Sequence, residues 1–182
     1  SIPLLFDVQQ AVDAARWCHE NGLKGVMLPT MWGEHAAYHD IKYDPFWEIC
    51  EDLGIVIHFH SGPAPHHEYF GPAFPNEDRS AELPGAMGAY VSEVMFWLYR
   101  PLTFMLWGGV FERFPRLKAM VVEGGTMFMV PSWLMLLDHN YTDIQFSAKL
   151  GIFRHTFLRP RTNSLQVISV LAARGGQEQT PI

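Results

Sequence analysis

Three short apolar runs, separated by helical patterns, constrain the fold of this chain more than any other feature. The runs span residues 23–28, 55–59 and 118–122 and read "LKGVML", "IVIHF" and "KAMVV". They lack the alternation of polar and apolar residues that is typical of a half-exposed antiparallel strand. Because a helical pattern lies between each run and the next, the order predicts a parallel α/β sheet covered by helices.

The helices around these runs have recognisable ends. Asp7, followed three residues later by Gln10, is a capping pair for a first helix that stops at Asn21-Gly22. Asp44-Pro45 begins a second helix, with proline in the first turn, and this helix runs to Gly54. These signals predict one helix before the first strand and one between the first and second strands.

The apolar segment at residues 89–111 is long enough to suggest a membrane span, but its centre is unsuitable for one. Glu93 and Arg100-Pro101 interrupt it, and charges at that depth of a bilayer are costly. The segment therefore predicts two amphipathic helices broken at Arg100-Pro101, and no membrane partner. A further helix is predicted over residues 126–140, with Pro131 in its first turns.

Composition limits the kinds of binding partner and the cellular compartment that we expect for this chain. The 182 residues carry a formal net charge of -6 without a cluster of Lys and Arg, so we expect no nucleic-acid partner. No basic and apolar leader opens the chain, which favours a cytoplasmic protein. Cys18 and Cys50 fall within predicted helices and are expected to be free thiols. Ser1 in place of a methionine suggests a processed, cloned or partial product.

Three strands are too few for a closed eight-stranded barrel, which usually needs about 250 residues. The chain is therefore either a small open α/β sheet or a piece of a barrel. The periodicity of the apolar residues does not choose between these two folds.

Ionisable residues followed by glycine end the second and third strands. His58 and His60 precede Gly62, and Glu123 precedes Gly124-Gly125. Side chains two apart on a strand share a face, so both histidines point the same way, and parallel packing brings Glu123 level with them. Neutral imidazole is the commonest metal ligand in proteins, and a nearby carboxylate can bind metal or accept a proton from water. A structural alternative stays open, in which His58 is a hydrogen-bonded core residue and His60 a donor at a loop edge.

Aromatic residues provide two further predictions. Trp32 follows the first strand, on the face where a substrate would bind, and an aromatic wall there suits a planar or aromatic acid. The run "MFWLYRPLTFMLWGG", residues 95–109, is expected to be core or a subunit contact, which makes the chain a candidate homo-oligomer.

Several segments resemble the amidohydrolase-2 family of metal-dependent hydrolases and decarboxylases, which includes aminocarboxymuconate-semialdehyde decarboxylase and the resorcylate decarboxylases. The similar segments are "DIKYDPFWEICEDLGIVIHFHSG", "GGVFERFPRLKAMVVEGG" and "PSWLMLLDH", and the similarity extends from about Asp7 to about Tyr141. The resemblance implies a distorted (β/α)₈ TIM barrel with a divalent metal, usually zinc, at the carboxyl ends of the strands.

The resemblance also assigns roles to the residues at the strand ends. His60, in "HSG", matches a metal-binding histidine of the family, which leaves His58 as a residue on the substrate side. Glu123 lies where decarboxylase members carry a catalytic histidine before glycines, so hydrolysis and decarboxylation both stay open. The implied substrate is a small molecule, carboxylated or cyclic.

Two motifs of the family are not found in the sequence. The histidine-containing motif of its first strand would precede residue 1, and its late aspartate ligand should follow Tyr141. We therefore expect residues 1–145 to form the middle strands of a partial barrel and residues 146–182 to be a divergent or aberrant tail. One hypothesis is thus an incomplete copy of a metal-dependent hydrolase or decarboxylase; the alternative is an inactive α/β fragment that only self-associates. A nucleotide-binding domain is disfavoured because no glycine-rich phosphate loop follows a strand.

Overall fold

The computed structural model describes residues 2, 4, 6–30, 33–60, 85–124 and 129–149. Within these ranges the helices are α1 (Val8–Glu20), α2 (Asp44–Leu53), α3 (Ala86–Trp107), α4 (Val110–Arg113) and α5 (Met129–Lys149). The strands are β1 (Gly25–Leu28), β2 (Val56–Phe59) and β3 (Lys118–Val121), and a short 3₁₀ turn, Ile41–Tyr43, precedes α2.

The three strands form one parallel sheet in the order β1-β2-β3, as the sequence predicts. Leu28 pairs with Phe59, and Phe59 pairs with Val121, so the carboxyl ends of all three strands are level. The Val122 amide donates to the Phe59 carbonyl at 2.9 Å, which carries the β2–β3 pairing one residue past the end of β3. Side chains that follow β2 and β3 are therefore held at one rim of the sheet.

The ends of α1 and α2 confirm the capping signals. The Asp7 carboxylate accepts a hydrogen bond from the Gln10 amide at 3.0 Å, and Asn21 caps the other end of α1. Pro45 lies in the first turn of α2, and that helix ends at Gly54 with φ 66°, a conformation that favours glycine.

The predicted break at Arg100-Pro101 is wrong, because α3 continues through Pro101 as one helix and stops only at Gly108. An interior proline costs a helix about 3 kcal/mol. Here Leu98, Leu102 and Met105, on either side of it, are at most 1% exposed. Burial of three such side chains, at about 1.5–3 kcal/mol each, outweighs the penalty. Among the described helices, none is both long and apolar enough to cross a membrane.

Helices cover one face of the sheet and leave the other face more open. Side chains directed towards the helices are buried and form the core with α1, α2 and α3; those of the sheet are Val26, Leu28, Ile57, Phe59, Ala119 and Val121. Side chains on the opposite face, such as Met27 and His58, are half-buried or exposed. This asymmetry fits three neighbouring strands of a barrel, where helices cover the outside and the inner face turns towards the remaining strands.

Both cysteines are free thiols, as the sequence predicts, and their environments differ. Cys50 in α2 is fully buried, and burial, with a smaller effect from Cys18, raises the pKa of its thiol to about 12. Since the thiolate is the reactive form, we expect iodoacetamide at pH 8 to alkylate Cys18, which is partly exposed, well before Cys50. Peptide mass mapping measures this order, and urea should abolish it. Equal modification of both thiols in the native protein would contradict the buried position of Cys50.

Candidate active site

The structure brings His60 and Glu123 together at the carboxyl rim of the sheet. His60 directly follows β2, and Glu123 lies two residues after the last residue of β3. Their side chains meet, with 3.2 Å between Nε2 of His60 and Oε2 of Glu123. The imidazole is 32% exposed and the carboxylate 71% exposed, so the pair can be reached from solvent. Parallel pairing of β2 with β3 is what makes this contact available.

The distance between the two atoms is compatible with two arrangements. In the first, Nε2–H donates a hydrogen bond to the carboxylate, which fixes the tautomer of the imidazole. In the second, both atoms bind one cation, since ligands at about 2.0–2.1 Å from a tetrahedral zinc are about 3.3 Å apart. The observed 3.2 Å is a long hydrogen bond and also a suitable ligand separation.

The backbone of Glu123 adopts a left-handed conformation. Its φ is 60°, and among the described residues it is the one non-glycine residue with positive φ. Such a conformation costs an L-residue of the order of 1–3 kcal/mol and is concentrated at functional sites in proteins. Residue patterns did not predict this conformation, although the glycines that follow Glu123 in the sequence are typical of a sharp change of chain direction.

His58 lies on the same face of β2 as His60 but below the rim. Its imidazole packs over Gly25 of the neighbouring strand, where an added Cβ would lie 2.6 Å from Cε1. Burial lowers the pKa of His58 below its ordinary value, which favours the neutral ring at pH 7. A role for His58 in substrate binding stays a prediction, and Trp32, the other residue predicted to contact substrate, lies outside the described residues.

The contact between His58 and Gly25 leads to a stability prediction. Gly25→Ala should destabilise the protein by about 1–3 kcal/mol, because the new methyl group overlaps the imidazole and lies 3.0 Å from the Val56 carbonyl. Gly88→Ala is the matched control, since nothing lies within 4 Å of its added Cβ and it is in a helix. That change should stabilise by up to about 1 kcal/mol. Urea midpoints measure both, and a Gly25→Ala variant as stable as the parent would contradict the packing of His58.

The described residues bring together two side chains of the kind that bind metals, which is fewer than a metal site needs. Imidazole and carboxylate are both ligands that divalent metals accept, and His60 and Glu123 are suitably spaced. Within the described ranges, however, no group of three or more His, Cys, Asp or Glu side chains could hold a metal ion. Zinc sites use at least three protein ligands. The described ligand set is therefore insufficient for a stable metal site.

A second concave feature is a groove between α3 and α5. Its volume is about 860 Å³, and its lining residues include Tyr99, Phe96, Met129, Trp133 and Leu136. Neither His60 nor Glu123 lines it. Its walls are mainly aromatic and aliphatic side chains, with Glu93 and Arg100 as the charged residues in the lining.

A parallel sheet with helices on one face and ionisable groups at its carboxyl rim fits an α/β-barrel protein, a class whose sites follow the strands. The profile of the Amidohydro_2 family, described as amidohydrolase, matches residues 1–164, and the chain belongs to this family. That match extends beyond residue 145, the last residue before the predicted C-terminal tail, and the position of this boundary stays a prediction.

Solved structures share the fold. An amidohydrolase from Mycobacterium avium subsp. paratuberculosis K-10 is 19% identical with a TM-score of 0.65, and the match covers 97% of this chain and 42% of that protein. The 5-carboxyvanillate decarboxylase LigW from Sphingomonas paucimobilis is 22% identical with a TM-score of 0.59, covering 91% of this chain and 46% of that enzyme. The chain thus spans less than half the length of these two proteins. Among curated proteins, none matches the sequence.

Proposed function

We propose that this chain carries the central part of the active site of a metal-dependent hydrolase or decarboxylase. The observation that carries the proposal is the contact between His60 and Glu123 at the carboxyl rim. Family membership supports the general class of chemistry. The remaining ligands would come from outside the described residues, because those residues contain no group of three or more side chains that could hold a metal ion.

Within this proposal His60 binds the metal and Glu123 acts on the proton. The carboxylate is more than two-thirds exposed and is held at the rim, where a small molecule can approach it. From there it would accept a proton from water or substrate, or orient His60 by accepting a hydrogen bond from its Nε2–H. Both roles need the carboxylate in its observed position, so both depend on its contact with His60.

The proposed substrate is a small organic molecule, carboxylated or cyclic. One protein of similar fold is named for decarboxylation of 5-carboxyvanillate and another is named only as an amidohydrolase, and at 19–22% identity neither determines the reaction here. The glutamate at position 123, where decarboxylases of the family carry histidine, keeps hydrolysis as a full alternative.

The test uses this sequence joined to the remaining strands of a barrel and supplied with zinc. Hydroxylated benzoates, assayed by CO₂ release, and cyclic amides, assayed by hydrolysis, are the two substrate panels. We expect activity in one panel, lost on chelation and restored by metal. Activity that survives both chelation and Glu123→Gln would refute the proposal.

The alternative of an inactive fragment is favoured by a different observation, the set of large apolar side chains exposed on α3 and α5. They include Phe96, which is 64% exposed, and Met135, which is 73% exposed. Exposed apolar surface of this kind promotes association. Analytical ultracentrifugation would show concentration-dependent self-association, and a strictly monomeric chain would rule this function out.

A further inference from the structure

The left-handed backbone conformation of Glu123 requires stabilising contacts from neighbouring residues. A strained backbone conformation persists only where contacts with the surrounding residues stabilise it. The next residue, Gly124, is fixed by Tyr99, whose hydroxyl donates a buried hydrogen bond of 2.7 Å to the Gly124 carbonyl. Tyr99 itself is 3% exposed, so water does not compete for this bond.

Gly124 is fitted closely against the same tyrosine. A Cβ added there would overlap Cγ1 of Val121 and would lie 3.1 Å from the Tyr99 hydroxyl oxygen. The residue after Glu123 is therefore confined between β3 and the phenol. The peptide unit that holds the Gly124 carbonyl and the one that joins Glu123 to Gly124 meet at the Cα of Gly124. Because Gly124 has little room to move, a shift of its carbonyl would be passed on to the Glu123 backbone.

Tyr99 is in turn fixed by a chain of contacts that reaches α5. The Thr103 hydroxyl donates to the Tyr99 carbonyl at 2.9 Å, and the Trp133 indole N–H donates to that hydroxyl at 2.9 Å. The rings of Tyr99 and Trp133 pack with their centroids 5.3 Å apart. Hydrogen bonds and ring packing thus hold the phenol in one position relative to β3.

We propose that Tyr99 is a positioning residue for Glu123, which it holds opposite His60 through its hydrogen bond to the Gly124 carbonyl. The inference deepens the proposed function and depends on it for the chemical role of Glu123. The positioning itself concerns only the metal-free protein.

The test is NMR of the 182-residue chain labelled with ¹⁵N in its nine histidines, without metal or substrate. His60→Ala assigns the imidazole signals of His60, and Glu123→Ala defines their position when the carboxylate is absent. In Tyr99→Phe, which removes only the hydroxyl, we expect these signals to move at least half of the way to the Glu123→Ala position. Adding Tyr99→Phe to Glu123→Ala should cause no further shift, because both changes remove the same contact.

Tyr43→Phe is the matched control. Tyr43 is also buried and donates at 2.7 Å to a backbone carbonyl, that of Ala36, so it reports on the general effect of losing such a bond. It should leave the His60 signals in place. Unmoved signals in a folded Tyr99→Phe variant, or equal movement in Tyr43→Phe, would overturn the proposal.

If Tyr99→Phe does not fold, Thr103→Val takes its place, because it removes the hydrogen bonds that link Tyr99 to Trp133 with little change in shape. It should move the His60 signals in the same direction by a smaller amount, and unchanged signals would overturn the proposal. Failure of zinc binding or of turnover would count against the proposed function and would leave the NMR result intact.

Discussion

Glu123→Gln should slow turnover by about 10²–10⁴-fold in a barrel completed around this sequence, with metal content unchanged. The amide has the shape of the carboxylate but does not accept a proton at neutral pH. Side-chain exposure of 71% means that the change removes little packing, so the loss should appear in kcat and not in the urea midpoint. Steady-state kinetics with metal analysis on the same samples measure both quantities.

Glu48→Gln is the matched control, because it makes the same chemical change at an exposed position of α2. It should leave kcat and metal content as in the parent. Loss of metal in Glu123→Gln would contradict the assignment of Glu123 as the base and would make it a ligand.

His60→Ala should weaken zinc binding in the same completed barrel by more than about 100-fold. Removing a residue that only hydrogen-bonds to a metal ligand already lowers metal affinity about 10–100-fold. Removing the ligand itself should lower the affinity further. Isothermal titration with zinc measures the effect. His139→Ala, at an exposed position of α5, is the control and should leave the affinity unchanged. Equal affinities in His60→Ala and the parent would exclude His60 as a ligand.

Local signals predicted the parts of the fold that depend on local physics. Asp7, Pro45 and Gly54 act at helix ends through their own backbone and side chains, and each is found where the sequence places it. The predicted helix break at Pro101 is the exception. The effect of proline on a helix is also local, but the burial of its neighbours on α3 depends on the packing of the whole molecule, and this burial keeps the helix continuous.

The same distinction applies to the candidate site. Parallel strands have level carboxyl ends, so the positions of His60 and Glu123 after apolar runs were enough to predict that they meet at one rim. Tyr99 is 25 residues from Gly124 in the chain, and nothing in its own segment distinguishes it from a core tyrosine. Its contact follows from the way α3 packs beside β3, which local patterns do not encode.

The most direct test of the paired roles of His60 and Glu123 is anomalous diffraction from crystals of the 182-residue chain soaked in millimolar zinc. At that concentration even a site with two protein ligands should fill in part. We predict an anomalous peak at about 2.0–2.1 Å from an imidazole nitrogen of His60, with the Glu123 carboxylate bound to the ion or hydrogen-bonded to the ring. Zinc at other histidines, with none at His60, would contradict the proposal that His60 binds the metal beside Glu123.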